Sequence, residues 1–233
     1  MSAPIGFRPL AAVIFDLDGV LVDSEPLGYQ VVNDLLAPYA VTMDWGDYVA
    51  IIGTTVSPWD VLVKRHKLPG TRQDFSDRFW GELERRVAAG ELAAKPGVHS
   101  AIDQVQRQAL PLGLASSSRR SYVTGVLSSI GVIAAFGAIV CREDVVTGKP
   151  DPAPYLEAAS RLGVAPAGCL AVEDSPAGLA SARAAGMRAL AVRTVYTREA
   201  DLREADLVLP SLEAFNLGGF MSMPGSTWNE TRR

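Results

Sequence analysis

The chain lacks an excess of basic residues, paired cysteines, histidine clusters and long apolar runs. Lysine and arginine number 22 against 26 acidic residues, a formal net charge of −4 over 233 residues. That balance gives no sign of the basic surface a nucleic-acid partner requires, and small-molecule chemistry is the better expectation. The two cysteines, Cys141 and Cys169, each lie in or beside an apolar run and not in a pair at metal-ligand spacing. They read as buried free thiols in a reducing compartment, with a disulfide between them as the open alternative. His66 and His99 lie amid basic and polar helix residues with no second ligand nearby, which places them on the surface. No segment approaches the roughly 18 uninterrupted apolar residues of a membrane helix. The start, MSAPIGFRPLAAVIFDLDG, lacks the basic region, apolar stretch and cleavage site of a secretory signal. The expectation is a cytoplasmic protein, a monomer by default, with neither a membrane nor a nucleic acid as partner.

What is present is 48% hydrophobic content, enough to bury a sizeable core, in a length that suits one large domain or a core with an insert. Four short aliphatic runs, LAAVIFDLD, LPLGLASSS, FGAIVCRED and GCLAVEDS, each close on a small polar or charged residue, as buried parallel strands do. RALAVRT and ADLVLPS supply two further strand candidates. Between the runs lie helix-period stretches, three of them closed by Gly131, Gly163 and Gly186 at the expected C-cap. This alternation predicts an α/β fold, a doubly wound, Rossmann-like parallel sheet. From Ser24 to Pro96 the rhythm changes to successive helices with no buried strand between them, which predicts an inserted α-helical cap. The expected division is a catalytic core over 1–23 and 97–220, a helical cap over 24–96 and a tail over 221–233. NLGGFMSMPGSTWNETRR has no periodicity and predicts poor order at that end.

In an open parallel sheet, ligands bind beyond the carboxyl ends of the strands, near the switch point. The residues closing the four runs are Asp16 and Asp18, then Ser116, then Lys149 shortly after the third, then Glu173 and Asp174. Carboxylates gathered at one edge repel one another unless a cation sits among them, and hard oxygen ligands suit Mg²⁺. Asp16 and Asp174 are the ligand candidates. With such an ion present a phosphate can enter, shared with the Ser116 hydroxyl and Lys149. Asp16 is then placed to act as a nucleophile, and Asp18, two residues on, as general acid and base.

DLDGV at Asp16 to Val20, LASSS at Leu114 to Ser118, GKPDP at Gly148 to Pro152 and VEDSPAG at Val172 to Gly178 resemble the four ordered motifs of the haloacid dehalogenase-like superfamily. The helical insert is similar to the cap of its phosphoglycolate phosphatase and beta-phosphoglucomutase-like branch, and the likeness covers about Val13 to Phe215. The resemblance implies that Asp16 is the nucleophile and that Asp18 is the acid/base with its backbone carbonyl on Mg²⁺. It further implies that Asp174 is a metal ligand with Glu173 beside or one shell behind it, and that Ser116 and Lys149 hold the phosphoryl group. The implied activity is a Mg²⁺-dependent phosphatase acting on a small phosphorylated metabolite through an aspartyl-phosphate. An aspartate at position 18 points away from dehalogenation and from phosphonate cleavage.

A sugar-phosphate mutase is the rival within the branch. Mutases of this kind carry in the flap-to-cap region a histidine that the stretch DSEPLGYQ, with Gly28 and Tyr29, lacks, and an arginine in a cap loop that here reads IGTTVSPW. That loop offers Gly53, Thr54 and Thr55 as substrate-binding candidates, alongside Ser117, Ser118 and Arg119 in the core and Glu25 at the cap. A phospho-accepting receiver domain is the non-enzymatic rival, but it has no helical insert and sets its acidic pair before the phosphorylated aspartate. Plainer readings stand beside these. Asp16 and Asp18 would form a solvated turn, Ser117 or Ser118 would cap the next helix, Lys149 would be a loop lysine, and Glu173 with Asp174 would cap the helix at Pro176. Glu25 is either a helix-start acid or a substrate residue. Trp45, Trp59 and Trp80 read as cap core, with Trp59 the one to face the cleft.

Overall fold

The structure, a computed structural model, describes residues 9–51, 58–197 and 202–222. All six apolar runs form strands: β1 (Ala12–Phe15), β2 (Leu112–Ala115), β3 (Ala138–Val140), β4 (Cys169–Glu173), β5 (Arg188–Val192) and β6 (Leu207–Leu209). They make one parallel sheet in the order β3-β2-β1-β4-β5-β6. Strand order reverses beside β1, where β2 lies on one side and β4 on the other, so the crevice expected of this topology opens at the end of β1.

Alternate side chains divide the sheet into two unlike faces. Val13, Phe15, Leu112, Leu114, Leu170, Val172, Leu190 and Val192 pack against α5 (Val98–Arg107), α6 (Arg120–Ser129) and α9 (Leu217–Ser222). The opposite face carries Ala12, Ile14, Ala115, Ala171, Ala189 and Ala191, and these small side chains let α7 (Ala153–Arg161) and α8 (Pro176–Ala184) sit close. Every residue of β1 is fully buried. Gly131, Gly163 and Gly186 close their helices with positive φ, 74°, 69° and 78°.

The α-helices of the insert's described residues are α1 (Glu25–Leu36), α2 (Trp45–Val49), α3 (Pro58–Arg65) and α4 (Arg72–Ala88). A separate apolar cluster holds it together, built on Val32, Leu36, Met43, Leu62, Leu68 and Phe75. Thr71 opens α4 with a reciprocal capping box to Asp74. The two linkers to the core are paired: Val22 bridges Ala94 antiparallel, and the Lys95 amide donates to the Leu21 carbonyl at 2.9 Å.

Two expectations fail here. Trp59 does not face the cleft: it is 2% exposed and stacks on Phe75 with ring centroids 5.2 Å apart, while Trp80 lines the opening. The segment from Leu217 is not loose, because it forms α9, which extends past the expected core limit at 220. Leu217 and Phe220 bury against Phe215, and Gln104 of α5 donates to the Phe215 carbonyl at 2.8 Å and accepts from the Leu217 amide at 3.0 Å. Two apolar anchors outweigh the glycines between them. His66 and His99 are exposed, and Cys141 and Cys169 are buried free thiols. No helix among the described residues is long and apolar enough to cross a membrane.

Candidate active site

Three strand ends deliver the acids and hydroxyls. The Asp16 amide donates to the Val172 carbonyl of β4 at 2.9 Å, and the Ser116 amide to the Val140 carbonyl of β3 at 2.9 Å. Both residues are thus held by the strand ladder although each lies one position past its strand. Glu173 is the last residue of β4 and Asp174 follows it. Lys149 arrives from the loop between β3 and α7, and its Nζ donates to Asp16 Oδ1 at 2.6 Å and to Glu173 Oε1 at 2.5 Å. These side chains are 6% (Lys149), 11% (Asp16) and 0% (Glu173) exposed, so the sequence has assembled a buried ionic triad from segments over a hundred residues apart.

Glu173 is saturated with donors. Oε1 also accepts from the Tyr155 hydroxyl at 2.8 Å, and Oε2 takes the Asp174 amide at 3.1 Å and the Ser175 hydroxyl at 3.0 Å. The helix cap that was the plainer reading of Glu173 and Asp174 is made by Ser175, whose Oγ accepts from the Gly178 amide at 3.0 Å. Gly178 is obligatory for a different reason: a Cβ there would stand 1.9 Å from the Glu173 carboxyl.

Electrostatics divide the charges unequally. Burial pushes Asp16 up to about 7, against the pull of Lys149. Asp174 is driven well above the usual carboxylate range by burial and then by Glu173 and Asp16. For Lys149, burial works to lower the ammonium, but Asp16 and Glu173 outweigh it and hold the proton above its ordinary value. One carboxylate oxygen from each of Asp16, Glu173 and Asp174 lies within 4.8 Å of the others. The Asp174 carboxyl receives no hydrogen-bond donor among the described residues. Lys149 pairs with two of the three carboxylates and Lys95 acts on Asp174 only from a distance, so this oxygen-rich cluster fits a hard divalent cation. Gly19, at φ 80°, allows it, since a Cβ there would fall 1.9 Å from Asp174 Oδ2. The Lys95 ammonium, absent from the sequence-based expectations, donates to the Gly19 carbonyl from the returning linker.

Asp18 has different company. Oδ1 accepts from the Ser24 hydroxyl at 2.7 Å and the Tyr122 hydroxyl at 2.9 Å, and Oδ2 from the Ser118 hydroxyl at 2.8 Å. These donors come from the cap entrance, α6 and the loop after β2, so Asp18 ties three segments together. Ser24 stands at the N-cap of α1 but makes no cap bond, its hydroxyl being used on Asp18. Likewise neither Ser117 nor Ser118 caps α6. Arg119 holds that position, and the Arg120 amide is met by the Glu143 carboxylate at 3.1 Å.

A cleft of about 940 Å³ opens over these groups, walled on the cap side by Phe79, Trp80 and Leu83. Asp16, Asp18, Ser116, Ser117, Ser118, Lys149, Asp174 and Glu25 line it. Arg119 is turned to the cap instead, pairing with Asp77 at 2.9 Å and lying 5.5 Å over the Trp80 ring. Gly53, Thr54 and Thr55 lie outside the described residues.

Burial lifts the Glu25 carboxyl from its ordinary 4.5 to about 7, with the Asp18 charge adding to the effect. The folded chain therefore binds more protons than the unfolded one between those values, so this stability is present at low pH and lost as pH rises through about 7. Glu25→Gln removes that contribution. Between pH 5 and pH 8 the wild type should lose up to about 2 kcal/mol more than the variant, a figure discounted because the carboxyl opens on the cleft. Thermal unfolding at both pH values tests this, and equal losses would contradict it.

A model of the haloacid dehalogenase-like hydrolases matches residues 13–192. Protein CbbY of Rhodobacter capsulatus is 35% identical over 188 residues, spanning 76% of this chain and 83% of its own. Hexitol phosphatase B of Escherichia coli is 33% identical over 195 residues, 80% of this chain and 84% of its own. Among solved structures, CbbY from Rhodobacter sphaeroides in complex with phosphate superposes with a TM-score of 0.79 at 26% identity, covering 90% of this chain and 98% of that one.

Proposed function

The chain belongs to the haloacid dehalogenase-like hydrolases, and from that premise we propose that it is a Mg²⁺-dependent phosphatase that hydrolyses a small phosphorylated metabolite through an aspartyl-phosphate on Asp16. The observation that carries this reading is Asp16 itself, buried at the switch point, with Oδ1 fixed by Lys149 and Oδ2 taking no donor among the described residues.

Asp16 attacks phosphorus as the ester P–O bond breaks, and Asp18 gives its proton to the departing alkoxide, which leaves as the alcohol. Asp18 then takes a proton from water, the resulting hydroxide attacks phosphorus, and the bond to Asp16 breaks with release of inorganic phosphate. Lys149 and the Ser116 hydroxyl hold the phosphoryl oxygens. The Ser117 and Ser118 hydroxyls, which line the same edge, bound the rest of that pocket. Asp16 and Asp174, with the Asp18 carbonyl, would hold Mg²⁺, and when bound the ion supplies the positive charge that admits a phosphate dianion among these acids. Glu173, with both oxygens already engaged, keeps Lys149 in place.

Hydrolysis is favoured over the mutase reaction because DSEPLGYQ lacks the histidine that mutases of this branch carry in that region. Within it, the Tyr48 hydroxyl would stand 2.4 Å from a Cβ placed at Gly28, so that space is already taken by the tyrosine. Chelation tests the proposal: treatment with EDTA should lower p-nitrophenyl phosphate turnover by at least ~100-fold, and Mg²⁺ should restore it. Chelated protein as active as the Mg²⁺-loaded form would overturn the metal assignment. Stimulation dependent on a sugar bisphosphate would favour the mutase.

A further inference from the structure

Gly28 and Glu25 lie one turn apart on the same face of α1, and the gap left by the glycine is filled from α2. Tyr48, 7% exposed, is fixed there by an edge contact to Tyr29 at 5.5 Å and by stacking on Trp45 at 5.8 Å between ring centroids. Its hydroxyl passes over Gly28 and donates to Glu25 Oε2 at 3.0 Å. A Cβ at position 28 would meet that hydroxyl at 2.4 Å but the ring carbon behind it only at 3.6 Å, so the clash is with the oxygen alone. We propose that Tyr48 is a positioning residue that aims Glu25 into the cleft, so that the site selects a hydroxyl-bearing leaving group, a sugar or polyol phosphate, over one that carries its own carboxylate.

This rests on the phosphatase reading and narrows its substrate class. With Oε2 committed to Tyr48, Glu25 Oε1 receives no donor among the described residues and faces the cleft as a hydrogen-bond acceptor. Donors on the leaving group, its hydroxyls, satisfy that oxygen. Above about pH 7, where Glu25 is ionised, an anionic leaving group would instead set its charge against that carboxylate. The apolar walls Phe79, Trp80 and Leu83 suit the C–H faces of a carbon chain. Sequence alone showed only that the stretch DSEPLGYQ lacks a histidine, and the structure shows what occupies the space over Gly28.

The test compares kcat/KM at pH 8, above the value of about 7 to which Glu25 is lifted, for a hexitol 6-phosphate and for 2-phosphoglycolate, with Mg²⁺, in wild type, Tyr48→Phe, Gly28→Ala and the double variant. The ratio of the two values does not depend on the fraction of protein folded, so partial misfolding does not mimic a result. Wild type should prefer the hexitol ester, and Tyr48→Phe should cut the ratio roughly 10-fold, the loss falling on KM for the hexitol ester. Gly28→Ala should do the same where the tyrosine is present and add little in the Tyr48→Phe background. Equal losses on both esters in Tyr48→Phe, an equal Gly28→Ala effect in both backgrounds, or a wild-type preference for 2-phosphoglycolate would overturn the inference. Absence of phosphate release from these esters and from p-nitrophenyl phosphate alike would show that the phosphatase reading itself had failed.

Discussion

Asp16→Asn should lower phosphate release by at least ~10³-fold while the protein stays folded. An amide of the same shape keeps the space after β1 filled and keeps the amide bond to Val172, but it no longer offers the anionic oxygen that attacks phosphorus. Stability should not follow activity. Glu173 still pairs with Lys149 at 2.5 Å, and one of three mutually repelling carboxylates has gone. In metal-free protein the melting temperature should therefore hold or rise. A p-nitrophenyl phosphate assay with Mg²⁺ and a thermal melt on the same sample check both halves, and retained turnover would remove Asp16 from the nucleophile's role.

The fold was largely legible because its signals are local. Continuous apolar runs such as AVIF and CLAVE mean a strand buried on both faces, whatever its neighbours. The edge residues were legible for a related reason, since each stands a fixed step past a strand whose position is known. What could not be read is the set of partners. Nothing near Asp18 in sequence points to Tyr122, which lies 104 positions away. Trp59 and Trp80 both fall on amphipathic cap helices, and only the packing of α3 and α4 decides which ring enters the cap core and which faces the cleft. The fate of Leu217 and Phe220 likewise depended on a surface that Phe215 and α5 present and local composition does not show.

Contacts between core and cap follow from the same placements. Arg119 reaches Asp77 and Trp80 on α4, and on the other side of the opening Trp45 of α2 meets Tyr196, whose hydroxyl donates to Asp23 at 3.2 Å. Asp18 is bound by Ser24 at the cap entrance and by Ser118 and Tyr122 of the core. The proposed acid/base is thus held by both parts of the molecule, so its orientation depends on how they are apposed.

Lys149→Met is the counterpart of Asp16→Asn and should fail on both counts. The ammonium is the cation paired with Asp16 and Glu173 in a pocket where Glu173 is fully buried, and it packs 5.2 Å from the Tyr155 ring centre. Removing it leaves carboxylates buried without a counter-charge, a change that costs about 3–5 kcal/mol. It also takes away the group proposed to hold the phosphoryl oxygens, so turnover should fall by at least ~10²-fold. The stability loss has a sign in pH. Without the lysine Asp16 loses the pull that opposes its burial and holds its proton more tightly than in the intact site, where it is pushed up to about 7, so the deficit is small near pH 5, where Asp16 is protonated with or without the lysine, and grows as pH rises past about 7. Adding Glu173→Gln should recover much of the melting temperature at pH 8 and none of the activity. Denaturation of both variants at pH 5 and pH 8 decides the matter: a deficit independent of pH would mean that Lys149 supports the fold by packing and not as the counter-charge of a buried acidic site.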